Sequence, residues 1–247
     1  MDLNCDLGES FGRYTLGDDR GLLPLATSIN IACGLHAGDP LVMQRTVRWA
    51  KEHPLNIGAH PGWPDLQGFG RREMALSPEE TEAFVLYQIG ALAAFVRAEG
   101  LSLTHVKPHG ALYNQAARDP ALAEAVARAV RRFDPGVILV GPAGSHLIRA
   151  GQAHGLRVAV EGFPDRAYLP DGSLMPRHQP GAVVETPEAV ARNAVRLAQE
   201  GIRLGERVWR MDTLCIHGDH PWAVENARQI RQALEQAGVP IAPLGSA

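Results

Sequence analysis

The stretch 54-PLNIGAHPGWPDLQGFGRR-72 begins as a short apolar strand, Leu55 to Ala59, and breaks into polar, Gly/Pro-punctuated chain carrying His60, Asp65 and the pair Arg71-Arg72. A run this brief is too short for a helix and too apolar for a strand with one wet face. The same transition recurs at 2-DLNCDLGE-9, 29-INIACGLHAGD-39, 104-THVKPHGALYN-114 and 213-TLCIHGDH-220. Apolar runs over 2–5, 28–33, 55–59, 103–106, 136–140, 157–160 and 212–216 predict seven strands, apolar almost throughout and therefore covered on both faces, as in a parallel sheet flanked by helices.

Helix starts lie between these runs. Asp39-Pro40, Ser77-Pro78, Asp119-Pro120 and Thr186-Pro187 each put a capping oxygen before a proline suited to the first helical position, and Ser77 with Glu80 forms a capping box. Gly100, Gly155, Gly201 and Gly238 mark helix ends, and His220-Pro221 is read as the start of the last helix. An alternating strand–helix chain is either an open doubly wound sheet or a closed barrel. The first turn reads 6-DLGESFG-12, not the G-x-G-x-x-G of a dinucleotide fold, so an α/β fold of the (β/α)-barrel type with seven strands, one domain over 1–247, is expected.

Composition narrows the function. A chain of 247 residues with formal charge −3 and pI near 6.4 gives no electrostatic reason for a nucleic-acid or membrane partner. No secretory leader or membrane-length apolar run is visible, which predicts a cytoplasmic protein. Cys5, Cys33 and Cys215 are expected to be reduced and buried, bordering one common space near strand ends.

In a parallel barrel all strand carboxyl ends open on one mouth, so side chains that follow different strands converge there. That explains the repeated polar transitions. It gathers Asp6, Glu9, His36, His60, Lys107, His109, Glu161, Asp165, Arg166, His217, Asp219 and His220 as site candidates, with Arg71 and Arg72 on a loop able to fold over a ligand; Asp39 is explained by capping alone. The chain uses arginine 22 times and lysine only at Lys51 and Lys107. A lysine at a strand end in such a chain points to chemistry arginine lacks, either a compact ammonium or an amine able to lose its proton. Asp6, His36, His60 and His109 are suitable donors for a divalent metal, without any local ligand spacing to mark one. No Walker-type loop and no G-x-S-x-G elbow occurs. The Pro/Gly-rich region 162–187 reads as a lid bringing Arg166, Arg177 and His178 toward an anionic substrate.

The segments DLNCDLGESFG (2–12), NIACGLHAGDP (30–40), GAHPGWPDLQGFGRR (58–72), VKPHGALYN (106–114) and HGD (217–219) resemble the LamB/YcsF family across almost the whole chain. The resemblance implies a barrel akin to those of glycoside hydrolases and polysaccharide deacetylases, serving as the A-type component of ATP-dependent 5-oxoprolinase together with 5-oxoprolinase subunits B and C. The implied reaction opens 5-oxo-L-proline to L-glutamate while ATP, the co-substrate of the complex, becomes ADP and phosphate. On that reading Lys107 and His109 stabilise negative charge, Asp6 or Glu161 orients or deprotonates water, and His60 or His217 protonates the leaving nitrogen. Glu9, His36, Arg71, Arg72, Asp165, Arg166 and Asp219 contact substrate. Two alternatives stay open: a stand-alone metal-dependent amide or N-acetyl hydrolase acting on a carbohydrate-like substrate, and a non-catalytic regulatory subunit that binds a lactam or sugar.

Overall fold

The computed structural model describes residues 1–176, 179–218 and 222–246. Seven parallel strands close into a barrel: β1 (Asp2–Leu7), β2 (Ser28–Ala32), β3 (Asn56–His60), β4 (His105–Val106), β5 (Ile138–Pro142), β6 (Val158–Gly162) and, after an antiparallel hairpin of β7 (Ile202–Leu204) with β8 (Arg207–Trp209), β9 (Thr213–Ile216), which pairs with both β6 and β1. Helices wrap this sheet: α1 (Asp19–Leu22), α2 (Pro40–Lys51), α3 (Pro78–Ala98), α4 (Gly110–Arg118), α5 (Pro120–Phe133), α6 (His146–Ala153), α7 (Pro187–Glu200) and α8 (Ala223–Gln236).

The expected caps form. Asp39, Ser77, Asp119 and Thr186 each accept backbone N–H groups in the first turn of α2, α3, α5 and α7, and Ser77 with Glu80 makes the full capping box. Helix α8 starts at Ala223, two residues past the expected His220-Pro221 opening, which lies outside the described residues. Among the described residues no helix is long and apolar enough to cross a membrane.

The strands differ from expectation in one respect. They are not apolar on both faces: in β1 Leu3, Cys5 and Leu7 join the core beneath the helices, while Asp2, Asn4 and Asp6 alternate with them and point into the barrel. The interior is buried yet polar because its groups satisfy one another. Asp2 accepts from Thr27, Ser28 and Thr213, and Asn30 donates to Asn4 and Asp6. At the end away from the mouth this polar network is joined by a small apolar cluster, in which Ile138, Val140 and Ala159 pack against Leu244 of the C-terminal tail.

The shared space expected for the three cysteines is also corrected. Cys215 faces the interior, with its Sγ 3.0 Å from the Lys107 ammonium, whereas Cys5 alternates with the inward Asn4 and Asp6 and faces the helices, and Cys33 Sγ lies 3.2 Å from the Ile31 carbonyl; all three are free and buried. The period-two alternation of β1 and β9 sends neighbouring side chains to opposite faces, so a position near a strand end does not fix the side.

His105 shows how tightly the interior is filled. Its ring lies across Gly58, where a Cβ would collide with the imidazole, and its Nε2 meets Asn30 Oδ1 at 2.8 Å. Burial, then the nearby Lys107 charge, pushes this histidine down to about 3, so it is neutral. Gly58→Ala is therefore expected to cost ~1–3 kcal/mol by overpacking, read as a lower midpoint in urea unfolding with unchanged slope. An unchanged midpoint would show that the ring has room to move.

Candidate active site

At the carboxyl mouth of the barrel the strand ends enclose a cavity of about 50 Å³, lined by Asp6, Glu9, His60, Lys107, His109 and His217, with Arg71, Arg166, Tyr113 and Phe163 at its rim. It opens into a larger groove along the start of α4 and the 168–176 segment, with Arg71, Tyr113, Phe163 and Arg166 bordering both.

Lys107 is the hub. Its Nζ lies 2.9 Å from Asp6 Oδ1, 2.8 Å from Glu161 Oε1, 3.0 Å from Asn4 Oδ1 and 3.0 Å from Cys215 Sγ, and the residue is only 3% exposed. Burial by itself would favour the neutral amine, but the attraction of Asp6, Cys215 and Glu161 prevails and holds the group well above the ordinary lysine value. Asp6 mirrors it. Burial would raise its carboxyl, yet Lys107 and then His60 keep it well below the carboxylate range. Of the two readings of Lys107, the geometry supports the permanent ammonium. Glu161 also accepts from Asn4 Nδ2 at 3.0 Å and from the Tyr113 hydroxyl at 2.8 Å, so it supports Lys107 from below and does not border the cavity.

A second group is built from histidines. His60 Nδ1 lies 2.7 Å from the carbonyl of Lys107, and His109 Nε2 lies 2.8 Å from the carbonyl of Phe69. A carbonyl only accepts, so both of these nitrogens carry protons, and the inner pair, His60 Nε2 and His109 Nδ1, face each other at 3.0 Å. His36 stacks on His109 at 3.8 Å between centroids, completely buried, with neither ring nitrogen hydrogen-bonded. Each such unsatisfied buried group costs ~1–3 kcal/mol. Burial holds both His36 and His109 well below the ordinary histidine value.

The 61–72 loop makes these contacts possible. Asp65 accepts from the backbone of Gly68 and Arg72 and from the Arg72 guanidinium, fixing a turn in which Phe69 has φ 55° and Gly70 φ 63°. A Cβ at Gly70 would lie 2.7 Å from His36 Cβ and 2.9 Å from His109 Cδ2, and one at Gly62 would lie 2.6 Å from His36 Nδ1. The glycines and prolines of the opening stretch thus let backbone lie against imidazole faces.

The remaining candidates sort by position. His217 Nδ1 lies 2.7 Å from Asp165 Oδ2 and its ring stacks on Phe163, so Asp165 stands behind the histidine and not at the cavity wall. Arg71 borders the cavity with its guanidinium over the Phe69 ring, while Arg72 is turned toward Asp65 and away from the cavity. Arg166 borders it too, anchored through Nη2 to the Met175 carbonyl at 2.6 Å. His36 sits one layer behind His109 and does not border the cavity. Asp219, His220, Arg177 and His178 lie outside the described residues. Asn4, Asn30 and Tyr113, which support the hub, carry no strand-end signature in the sequence; the alternation D-L-N-C-D-L in β1 is the available signal.

A ring of ionised and imidazole groups at the carboxyl mouth of a parallel barrel, rimmed by arginines, defines a (β/α)-barrel protein with a small polar pocket. The family model described as the LamB/YcsF family matches residues 1–247. A protein of Methylococcus capsulatus named as the A-type subunit of 5-oxoprolinase is 57% identical, covering 99% of this chain and 96% of its own length, and one of the same name from Pyrococcus furiosus is 54% identical, covering 99% and 98%. The crystal structure of the lactam utilization protein from Thermus thermophilus superposes with a TM-score of 0.90 at 53% identity, covering 98% of each chain. This chain belongs to the LamB/YcsF family.

Proposed function

We propose that this chain is the ring-opening subunit of an ATP-dependent 5-oxoprolinase, working in the cytoplasm with two further subunits. Support comes from the name shared by its relatives and from the pocket. The observation that carries the reading is the buried Lys107 ammonium at the cavity floor beneath two arginines, a fit for a small substrate bearing a carboxylate and gaining negative charge.

The five-membered lactam is a poor electrophile. Transfer of the γ-phosphoryl group of ATP to its oxygen, assigned here to the partner subunits, makes an imidate-like centre that water attacks. Breaking the C–N bond then needs one proton at nitrogen and leaves a γ-carboxyl phosphate, which a second water hydrolyses to L-glutamate and phosphate. Lys107 stabilises the oxygen anions. Asp6 is held too far below the carboxylate range to be an effective base, so its part is to orient water. His217, backed by Asp165, takes the proton from water and delivers it to nitrogen. Arg71 and Arg166 hold the α-carboxylate or the phosphoryl group.

The test is glutamate release from 5-oxoproline and ATP by the reconstituted complex with and without this chain. Omission is expected to abolish release, and ATP is expected not to bind the isolated chain at micromolar concentration. Partner subunits that release glutamate equally well alone would overturn the assignment.

A further inference from the structure

Among the described residues the barrel mouth gathers two sets of electron-pair donors, and one of them holds the Lys107 ammonium. Asp6 and Cys215 share the Lys107 ammonium, at 2.9 and 3.0 Å. The other set is Glu9, His36, His60 and His109, each less than a tenth exposed, offering one ligand atom apiece, all within 4.8 Å of one another.

The hydrogen bonds fix what these atoms present. His60 and His109 spend their outer N–H groups on the carbonyls of Lys107 and Phe69, so in neutral rings the inner nitrogens are both lone pairs, 3.0 Å apart. Glu9 Oε1 lies 4.0 Å from His109 Nδ1, and Asp6 Oδ2 lies 3.6 Å from His60 Nε2. Lone pairs and carboxylate oxygens aimed at one point repel unless something positive lies between them. His36 adds a fully buried imidazole with no hydrogen-bond partner, in a slot that a Cβ at Gly62 or Gly70 would close. Imidazoles whose far nitrogens are anchored on backbone carbonyls have the outer-sphere arrangement of metal ligands. Tetrahedral bonds of ~2.0 Å place ligand atoms ~3.3 Å apart, a spacing bracketed by the 3.0 and 4.0 Å observed here.

We infer that Glu9, His36, His60 and His109 form a binding site for one divalent transition-metal ion, Zn²⁺ by its three-imidazole, one-carboxylate donor set. Its cavity side, where Glu9, His60 and His109 border the pocket, lets the bound ion meet the ligand in that pocket. The inference stands apart from the lactam reading, because it is read in metal content and not in turnover.

The full chain, freed of metal by a chelator and desalted, is titrated with Zn²⁺, and with Co²⁺ as a spectroscopic probe. One equivalent of Zn²⁺ is expected per chain, and Co²⁺ is expected to give the visible absorption of a four- or five-coordinate site. Glu9→Gln, His36→Ala, His60→Ala and His109→Ala are each expected to weaken Zn²⁺ binding at least ~100-fold. His154→Ala, at a histidine paired with Glu124 far from the mouth, is expected to bind as wild type. If His60→Ala does not fold, Glu9→Gln and His36→Ala carry the comparison. Absence of stoichiometric Zn²⁺ or Co²⁺ binding at micromolar concentration overturns the inference. So does binding that persists in all four variants, or imidazole ¹⁵N spectra showing one proton shared by His60 and His109 and undisturbed by Zn²⁺.

Discussion

Lys107→Met is expected to reduce turnover of the reconstituted complex by about 10²–10³ and to destabilise this chain by ~3–5 kcal/mol. Methionine keeps most of the side-chain volume and removes the charge. What is left is the Asp6 and Glu161 carboxylates facing each other in a buried space, with Cys215 Sγ also losing its ammonium partner and Asn4 Oδ1 keeping Asn30 as donor. Breaking a buried ion pair from one side is costly because the partner stays buried and uncompensated.

A second substitution separates structure from chemistry. In Lys107→Met/Glu161→Gln one stranded charge is gone, and the glutamine carbonyl can still accept from Asn4 while its amide N–H donates to the Tyr113 hydroxyl oxygen, so a large part of the lost stability is expected to return in urea unfolding. Turnover is expected to stay low, because the ammonium at the cavity floor is still missing. Recovery of turnover together with stability would show that Lys107 serves the fold alone. Lys107→Arg is expected to fail as well: a planar guanidinium needs more room than a site in which four acceptors surround one nitrogen at 2.8–3.0 Å.

Lys107 was legible in the sequence by contrast, since a chain that chooses arginine nearly everywhere keeps lysine at one strand end. The barrel was legible for a related reason: short runs followed by polar turns, and prolines after capping residues, are local signals written within four or five residues. Local signals do not say which face a side chain takes. Asn4 and Asn30 pass for polar interruptions of apolar strands until the barrel closes and makes their side the interior, where they hydrogen-bond each other. The β7–β8 hairpin carried a usable signal in 202-IRLGERVW-209, with Gly205 at φ 59° in its turn, but its strands are three residues each and compete poorly with the helix pattern before them. The pairing of Asp165 with His217 spans 52 residues and depends on β6 and β9 being neighbours, a fact of barrel closure that no spacing along the chain records.

That pairing gives the second large expectation. Asp165 Oδ2 accepts from His217 Nδ1, which leaves Nε2 as the nitrogen available to the cavity. Asp165→Asn is expected to lower kcat by about 10²–10⁴ with little change in KM. The amide can accept or donate, so it no longer selects the tautomer, and it offers no charge to stabilise the imidazolium formed when His217 takes a proton. The substrate contacts proposed for Arg71 and Arg166, which border the cavity, are untouched, which is why binding should survive. Steady-state kinetics on the reconstituted complex, with wild-type unfolding behaviour verified for the variant chain, checks this. A rise in KM at constant kcat would instead make Asp165 a determinant of substrate binding. Asp165→Glu, which restores the charge at a longer reach, is expected to recover part of kcat; a purely packing role for Asp165 predicts that the longer side chain does worse than asparagine.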